Sequence, residues 1–547
     1  MAKKTIPWYE FDKKVEDLDT DVAYQLQVQR EAIPLIFVPG LLGTCLRLSG
    51  TDGWGASGKT GLPNSRWYPS SLPWMFLHFI GRSGAYRKKM LVGPRFFNAG
   101  FLEPDNDKII GDGFKAILSD YCKFLNLLKK PEAGGPVAKA VGGKGPDWGP
   151  LSKIFEFPVY AFGYNWTDSN RNSGKKLAKR IEEIIEEARK VTGLCERVIL
   201  ITHSMGGLVA RWASKMEKAE ESILGIIHGV QPATGAPSAY WRMKAGFERE
   251  QAYGYIEEVI LSTVKGVAVS SVFGSTGDTV TPLFANIPSV LQLLPNKLHR
   301  TNDGEKEWLR ITQDGKTIKA LPESNPYEEI YRIKAEVRPK GDVNPSSNKY
   351  WGLVDPEILD PECVPEGGEG ETGEKWKKNR LDRMTDQLVA RAQAWKEYNG
   401  RLDRAEEFHD ELGDYQHPQT FNLRGIGQPT ADVVELRIES VGKVDNPYPK
   451  REFRGFFRNS KGKLKRAVLQ QPEGDGDGTV PRSSAGALDN LDANGKQLPG
   501  DQAASVGHQG AYEDLGVQKF AIEAIKALCR VRFETKTGRI LDKFPAP

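Results

Sequence analysis

The sequence is poor in cysteine, and what it has is scattered. Cys45, Cys122, Cys195, Cys363 and Cys529 are odd in number and form no C-x-x-C pair, which argues against a disulfide framework or a cysteine zinc site. No uncharged apolar run reaches the roughly 18 residues that a membrane-spanning helix needs. The opening Met-Ala-Lys-Lys-Thr-Ile-Pro-Trp-Tyr-Glu has no apolar signal core. The expectation is cytoplasmic synthesis with no signal peptide and no transmembrane helix, any export following a leaderless route. Charge of one sign is also missing: 76 Lys and Arg face 72 Asp and Glu, a net charge of +4. No basic stripe with interleaved aromatics appears, so nucleic acid is not an expected partner. No cofactor and no metal site are expected.

What is present is a chain of 547 residues, too long for one minimal core. That length calls for a large domain with big insertions, or for two to three domains. Its most informative stretch is Val198-Ile199-Leu200-Ile201-Thr202-His203-Ser204-Met205-Gly206-Gly207-Leu208-Val209-Ala210-Arg211. An apolar, β-branched run leads into a tight corner and then a helical segment, the pattern of a strand–nucleophile–helix elbow. The usual motif is G-x-S-x-G, and Thr202 stands where its first glycine would be. A Ser that merely caps a helix is the bland alternative.

Upstream, Ile33-Pro34-Leu35-Ile36-Phe37-Val38 reads as a buried strand ending in the glycine-bracketed loop Pro39-Gly40-Leu41-Leu42-Gly43. In serine hydrolases of this architecture such a loop supplies one oxyanion N–H and the residue after the nucleophile the other. Leu41 and Met205 are the candidates. Gly53-Trp54-Gly55-Ala56-Ser57-Gly58-Lys59-Thr60 fits the phosphate-loop pattern, but no strand delivers it, and Pro63, Pro69 and Pro73 forbid a long following helix. Nucleotide binding is therefore set aside. The aromatics between Trp67 and Phe79, followed by Arg82, Arg87, Lys88 and Lys89, suit either a membrane-interface contact or a cluster buried under a long loop.

Gly113 to Lys130 is read as a helix and Phe155 to Phe162 as a strand. Leu177, Ile181, Ile184, Ile185 and Ala188 share a helical face, and Ile223 to His228 is a further strand. Strand and helix alternating in this way predict a parallel sheet with right-handed crossovers. His203 is expected to pack under the turn and His228 in the strand core. Ile256 to Phe273 suits a lid, and Glu366 to Gly373 an exposed linker. A long helix carrying Leu381, Met384, Leu388, Trp395, Tyr398, Leu402 and Ala405 is expected to pack on the core.

The sheet resumes at Thr420 and leads to Glu473-Gly474-Asp475-Gly476-Asp477-Gly478-Thr479-Val480. A calcium loop fails here: with Asp475 first, Val480 falls where the glycine belongs and Gly486 where the bidentate glutamate belongs. The better reading is a triad acid on a tight turn, Asp477, with Asp475 the alternative. Of seven histidines only His508 follows it. The order Ser204, Asp477, His508 is that of an α/β-hydrolase. His508 would accept the serine proton, and Asp477 would orient and stabilise the imidazole. The expected fold class is α/β: an α/β-hydrolase fold with a mostly parallel sheet, helices on both faces and a large inserted cap or lid. The expected division is an N-terminal arm (1–30), a first core part (31–238), the cap (239–418) and a second core part (419–547).

Several pieces resemble the lecithin–cholesterol acyltransferase-like family of α/β-hydrolases, which includes lysosomal phospholipase A2. They are Val38 to Gly43, Tyr164-Asn165-Trp166, His203-Ser204-Met205-Gly206, Pro288 to Pro295, Gly425 to Thr430 and Gly476 to Val480. The resemblance covers the sheet domain and leaves most of 300–415 unmatched; the family's tyrosine-aspartate-tryptophan has Asn165 at its centre. It implies Ser204, Asp477 and His508 as triad, Leu41 and Met205 as oxyanion donors, and a lipid ester or phospholipid as substrate. The aromatic segment after Pro69 would occupy the family's membrane-contact region. The run from His203 to Arg211 also resembles bacterial lipases, whose setting would add a contractile secretion system or an immunity-type protein as partner. The readings to be separated are a lipase or phospholipase, an acyltransferase to an alcohol, and a non-catalytic hydrolase-fold binding protein.

Overall fold

The residues from Val198 to Ile201 are apolar at successive rather than alternate positions, so a strand built from them must be covered on both faces. The computed structural model describes residues 2–7, 24–44, 46–48, 66–67, 88, 102–104, 109–110, 113–114, 119–129, 146, 148–246, 274, 276–333, 350–359, 374–440, 455–458, 463–470, 473–488 and 501–538. It sets this strand inside a six-stranded sheet. In chain order the strands are β1 (Leu35–Val38), β2 (Val159–Ala161), β3 (Val198–His203), β4 (Ile223–Gly229), β5 (Thr420–Gly425) and β6 (Asp501–Ala504). Across the sheet they run β2-β1-β3-β4-β5-β6, and every neighbouring pair is parallel. The chain is therefore an α/β fold around a parallel sheet.

Helices α1 (Ser119–Lys129), α2 (Asn170–Thr192), α3 (Gly206–Lys215) and α5 (Leu515–Thr537) flank it, and a longer helix, α4 (Glu374–Leu412), packs beyond α3. Leu35 and Phe37 of β1 and Ile199 and Ile201 of β3 pack with Phe124 and Leu128 of α1 and with Ile525 and Leu528 of α5. Ile36, Val38, Val198 and Leu200 pack with Leu177, Ile181 and Ile184 of α2 and Val209 of α3. Each Leu or Ile so buried contributes roughly 1.5–3 kcal/mol. Local signals set the helix ends. Ser169 caps α2 through the Arg171 N–H, and Gly193, at φ 78°, closes it. Asp514 caps α5 through the Val517 N–H, and Gly538, at φ 66°, ends it.

Two elements differ from expectation. The stretch read as a helix from Gly113 opens instead with Gly113–Phe114 paired with Ile109–Ile110 as a short antiparallel strand, and its described helix is Ser119–Lys129. The strand read from Phe155 to Phe162 is two pieces, Phe155–Glu156 beside Glu31–Ala32 and β2 beside β1. Pro158 lies between them and has no N–H for a ladder, although its carbonyl still accepts from Leu35. The phosphate-loop look-alike, the lid over 256–273 and the linker over 366–373 lie outside the described residues. Of the aromatic segment only Trp67 lies within them, in a strand with Arg66 beside Leu46–Leu48. Within the N-terminal arm, Tyr24–Gln29 pairs in parallel with Ala2–Pro7.

Between β4 and β5 the chain builds a second layer. Leu309–Gln313 and Lys316–Leu321 form one five-stranded sheet with Val434–Ser440, Leu464–Leu469 and Gly455–Arg458. The region read as a cap thus shares a sheet with residues that follow β5, joined by one apolar face of Leu309, Ile311, Val434, Leu436 and Ile438. The long helix α4 buries Tyr398, Leu402 and Ala405. Its Phe408 stacks on Trp212 of α3 at 5.0 Å. Arg211 of α3, itself buried, donates to the carbonyls of Gly413 and Tyr415 beyond the end of α4. Among the described residues no helix is long and apolar enough to cross a membrane.

At the other end of the sheet, Arg532 of α5 pairs with Glu31 in the interior, with Glu196 2.8 Å from the same guanidinium. Arg532→Leu leaves the Glu31 carboxylate buried without that partner, and we expect unfolding stability to fall by about 3–5 kcal/mol in urea titrations. The double replacement Glu31→Leu/Arg532→Leu is expected to lose clearly less, because neither charge is left stranded.

Candidate active site

Ser204 follows β3 at φ 52°, a conformation L side chains rarely adopt. Neighbouring backbone holds it there: its N–H donates to Gly229 O at 2.9 Å, and its carbonyl accepts from Gly207 N–H at 3.0 Å. Helix α3 starts two residues later, pressed against the end of β1. A Cβ at Gly206 would collide with the carbonyl oxygens of Val38 and Pro39, so this position requires glycine. Thr202 needs no such concession. It is fully buried, its hydroxyl is 2.9 Å from His228 Nδ1, and its carbonyl accepts from the Tyr512 hydroxyl at 2.9 Å. The close backbone approach of this elbow falls on Gly206, which is why threonine fits at 202.

Loops that follow the more distant strands β5 and β6 reach the same edge. His508 follows β6, and its Nε2 lies 2.8 Å from Ser204 Oγ. Its Nδ1 lies 2.7 Å from Asp477 Oδ2, and the carboxylate is buried. These partners specify the tautomer: Nδ1–H donates to the carboxylate and Nε2 accepts from the serine. The other carboxylate oxygen of Asp477 accepts from the N–H groups of Thr479 and Val480 at 2.9 and 2.7 Å. Asp475 goes elsewhere: its carboxylate accepts from Gly427 N–H at 2.6 Å and lies 3.8 Å from Arg482. Asp477, not Asp475, meets the imidazole.

The glycine-bracketed loop closes on itself through Gly43 N–H to Gly40 O at 3.0 Å, with Leu42 at φ 62°. A Cβ on Gly40 would stand 2.9 Å from Ser204 Cβ, so the loop lies directly against the elbow. Neither the Leu41 nor the Met205 N–H hydrogen-bonds another described residue. Backbone N–H groups that are free of such bonds, one next to the serine in sequence and one on the adjoining loop, are of the kind that can serve an anion. His203 and His228 are both buried, as expected of core histidines. Burial holds the His228 imidazole down to about 3, so it is neutral at neutral pH. Among the described residues no three His, Cys, Asp or Glu are grouped as a metal site.

Several supports were not singled out from the sequence. Tyr164 donates its hydroxyl to Pro39 O at 2.8 Å and its N–H to Thr44 Oγ1 at 3.3 Å, anchoring both ends of the glycine loop. Its presence in the resembling motif was the available signal. Beside it, Asn165 Oδ1 accepts from the Thr167 N–H and hydroxyl at 3.0 and 2.7 Å. An aspartate would accept the same two bonds, so asparagine leaves the turn intact. Asn302 braces the acid turn, donating to Asp475 O at 2.9 Å and accepting from Ser483 N–H at 2.8 Å. Its own N–H is held by buried Asp432, whose carboxyl burial pushes above the usual range. Nothing in the sequence around Asn302 signals this role.

Residues 169–318 match the family model of the PGAP1-like alpha/beta domain. That span contains β3, Ser204 and β4, and ends before the acid and histidine loops. No curated protein matches the chain. Among solved structures, a chain of the crystal structure of the Tle4-Tli4 complex is similar over 92% of this chain and 99% of its own length, at 21% identity and a TM-score of 0.60. At that identity the likeness is one of fold.

Gly206→Ala tests the elbow directly. The added methyl must displace the end of β1 or the start of α3, and we expect a loss of about 1–3 kcal/mol in urea unfolding. An unchanged midpoint would show that the two backbones are not in close contact.

Proposed function

We propose that the chain is a serine ester hydrolase of the lipase or phospholipase A type, acting through an acyl-enzyme on Ser204. The observation that carries this reading is the continuous pair of hydrogen bonds, 2.8 Å from Ser204 to His508 and 2.7 Å from His508 to Asp477. Non-catalytic binding would need no such relay at the edge of the sheet. The lipid class of the substrate rests on the motif resemblance to the lecithin–cholesterol acyltransferase-like family.

His508 Nε2 takes the Ser204 proton as Oγ bonds to the ester carbonyl carbon. The carbonyl oxygen becomes an oxyanion that the Leu41 and Met205 N–H groups receive, and Asp477 stabilises the imidazolium. The imidazolium then protonates the leaving alcohol as the ester bond breaks. Water repeats the cycle on the acyl-enzyme and releases the acid; an alcohol in its place makes the reaction an acyl transfer. The cap, in this reading, is 239–418 together with the strands it shares after β5, and the segment around Trp67 to Phe79 meets the lipid surface. A protein partner of the immunity type belongs to the same proposal, supported by the structural neighbour's being part of a two-protein complex.

A fluorophosphonate probe is expected to label the wild type and not Ser204→Ala, and equal labelling of both would remove the proposal. Asp477→Asn is expected to lower kcat on a p-nitrophenyl ester by about 10⁴, the usual scale for disabling a triad acid. Asp475→Asn should stay within about tenfold of wild type, since among the described residues its carboxylate meets the Gly427 N–H and Arg482 and not His508. The reverse ranking would reassign the acid.

A further inference from the structure

His203 is the last residue of β3, directly before the nucleophile, and it is buried. A core histidine needs only to be neutral and satisfied. This one has both ring nitrogens committed to groups from distant parts of the chain. Its Nδ1 lies 2.9 Å from the Tyr121 hydroxyl on α1, and its Nε2 lies 2.8 Å from the backbone carbonyl of His508. A carbonyl only accepts, so Nε2 carries the proton and Nδ1 offers a lone pair to the Tyr121 O–H.

We propose that His203 is a positioning residue for His508, and that Tyr121 sets the tautomer that lets it do so. The proposal rests on the reading of Ser204, Asp477 and His508 as a triad. The His508 backbone is held at both ends: its N–H donates to Asp477 O at 2.8 Å, and its carbonyl accepts from His203. The first bond ties the imidazole to its acid. The second ties it to the strand that carries the serine, so the 2.8 Å Ser204–His508 contact is referenced to both partners. Among the described residues no other hydrogen bond joins the His508 backbone to β3.

The chemistry also explains why a neutral donor is required. The two imidazole rings are 5.2 Å apart. His508 becomes cationic during proton transfer, and a second cation at that distance would oppose it. Burial pushes His203 down to about 3, so it stays uncharged at neutral pH. Lysine or arginine would supply the donor with an unwanted charge. Glutamine supplies a neutral N–H at about the reach of Nε2, with an amide oxygen for Tyr121. Around this pair, Tyr121 packs on Phe37 at 4.8 Å, and Tyr512 flanks His203 at 6.2 Å.

The test compares His203→Leu, His203→Gln and Tyr121→Phe in the full chain on a p-nitrophenyl ester. His203→Leu is expected to lower kcat by about 30-fold or more while KM stays within about threefold, as a misplaced general base costs turnover rather than binding. His203→Gln should recover to within about fivefold of wild type, and Tyr121→Phe should fall about 3- to 10-fold. A merely structural histidine would give Leu and Gln variants whose activities follow their Tm. Wild-type kcat in His203→Leu, or a Gln variant no better than Leu at equal Tm, overturns the proposal. If the Leu variant fails to fold, His203→Asn replaces it, since its shorter amide falls short of the carbonyl; Gln and Asn variants of equal kcat then overturn the idea. A wild type that neither turns over ester nor labels at Ser204 defeats the triad reading itself, a result distinct from all of these.

Discussion

The contact between Gly206 and the carbonyl oxygens at the end of β1 is the constraint on which the candidate site depends. Because no side chain intervenes, α3 can begin directly beneath the glycine loop, and Ser204 is forced into a positive-φ corner above the sheet. The glycine loop that carries Leu41 then lies against the elbow that carries Ser204 and Met205. Any bulk at that point would separate the elbow from the loop and with it the serine from the Leu41 N–H. The cost of the strained corner is met by the fully buried β3 on which it stands.

Parallel strands direct their carboxyl ends to one edge, and the order of strands decides what meets there. β3 lies beside β4, and the loops after β5 and β6 reach back across that edge to bring Asp477 and His508 to Ser204. Hydrogen bonds from backbone to backbone, His508 to Asp477 and Ser204 to Gly229, make these loops part of the sheet's framework rather than appendages to it. Behind them, Asn302 and Asp432, which lie next to strands of the second layer, hydrogen-bond to the turn that carries Asp475 and to each other.

Much of this was legible because it follows from local chemistry. Unbroken apolar runs marked β1, β3 and β4; the 177–188 periodicity marked α2; glycine-rich turns marked the acid and histidine loops. Thr202 looked like a defect in the motif, and only the packing shows that the close approach lies at Gly206 instead. The break at Pro158 was readable in principle, since proline cannot donate to a ladder, but the aromatic and β-branched run around it masked the interruption. The second sheet was not legible. Its strands come from both sides of β5, and alternating patterns such as 309–313 and 434–440 carry no indication of whom they pair with. The same applies to Tyr121 and Asn302, whose roles depend on contacts across more than 80 residues of sequence.

Quench-flow mass spectrometry of the Ser204 peptide during turnover of a lipid ester tests the central claim most directly. The account predicts a transient adduct whose mass is that of the substrate's acyl group, located on Ser204 and decaying as product appears. Product formed at the full rate with no adduct on Ser204 at any time would contradict it.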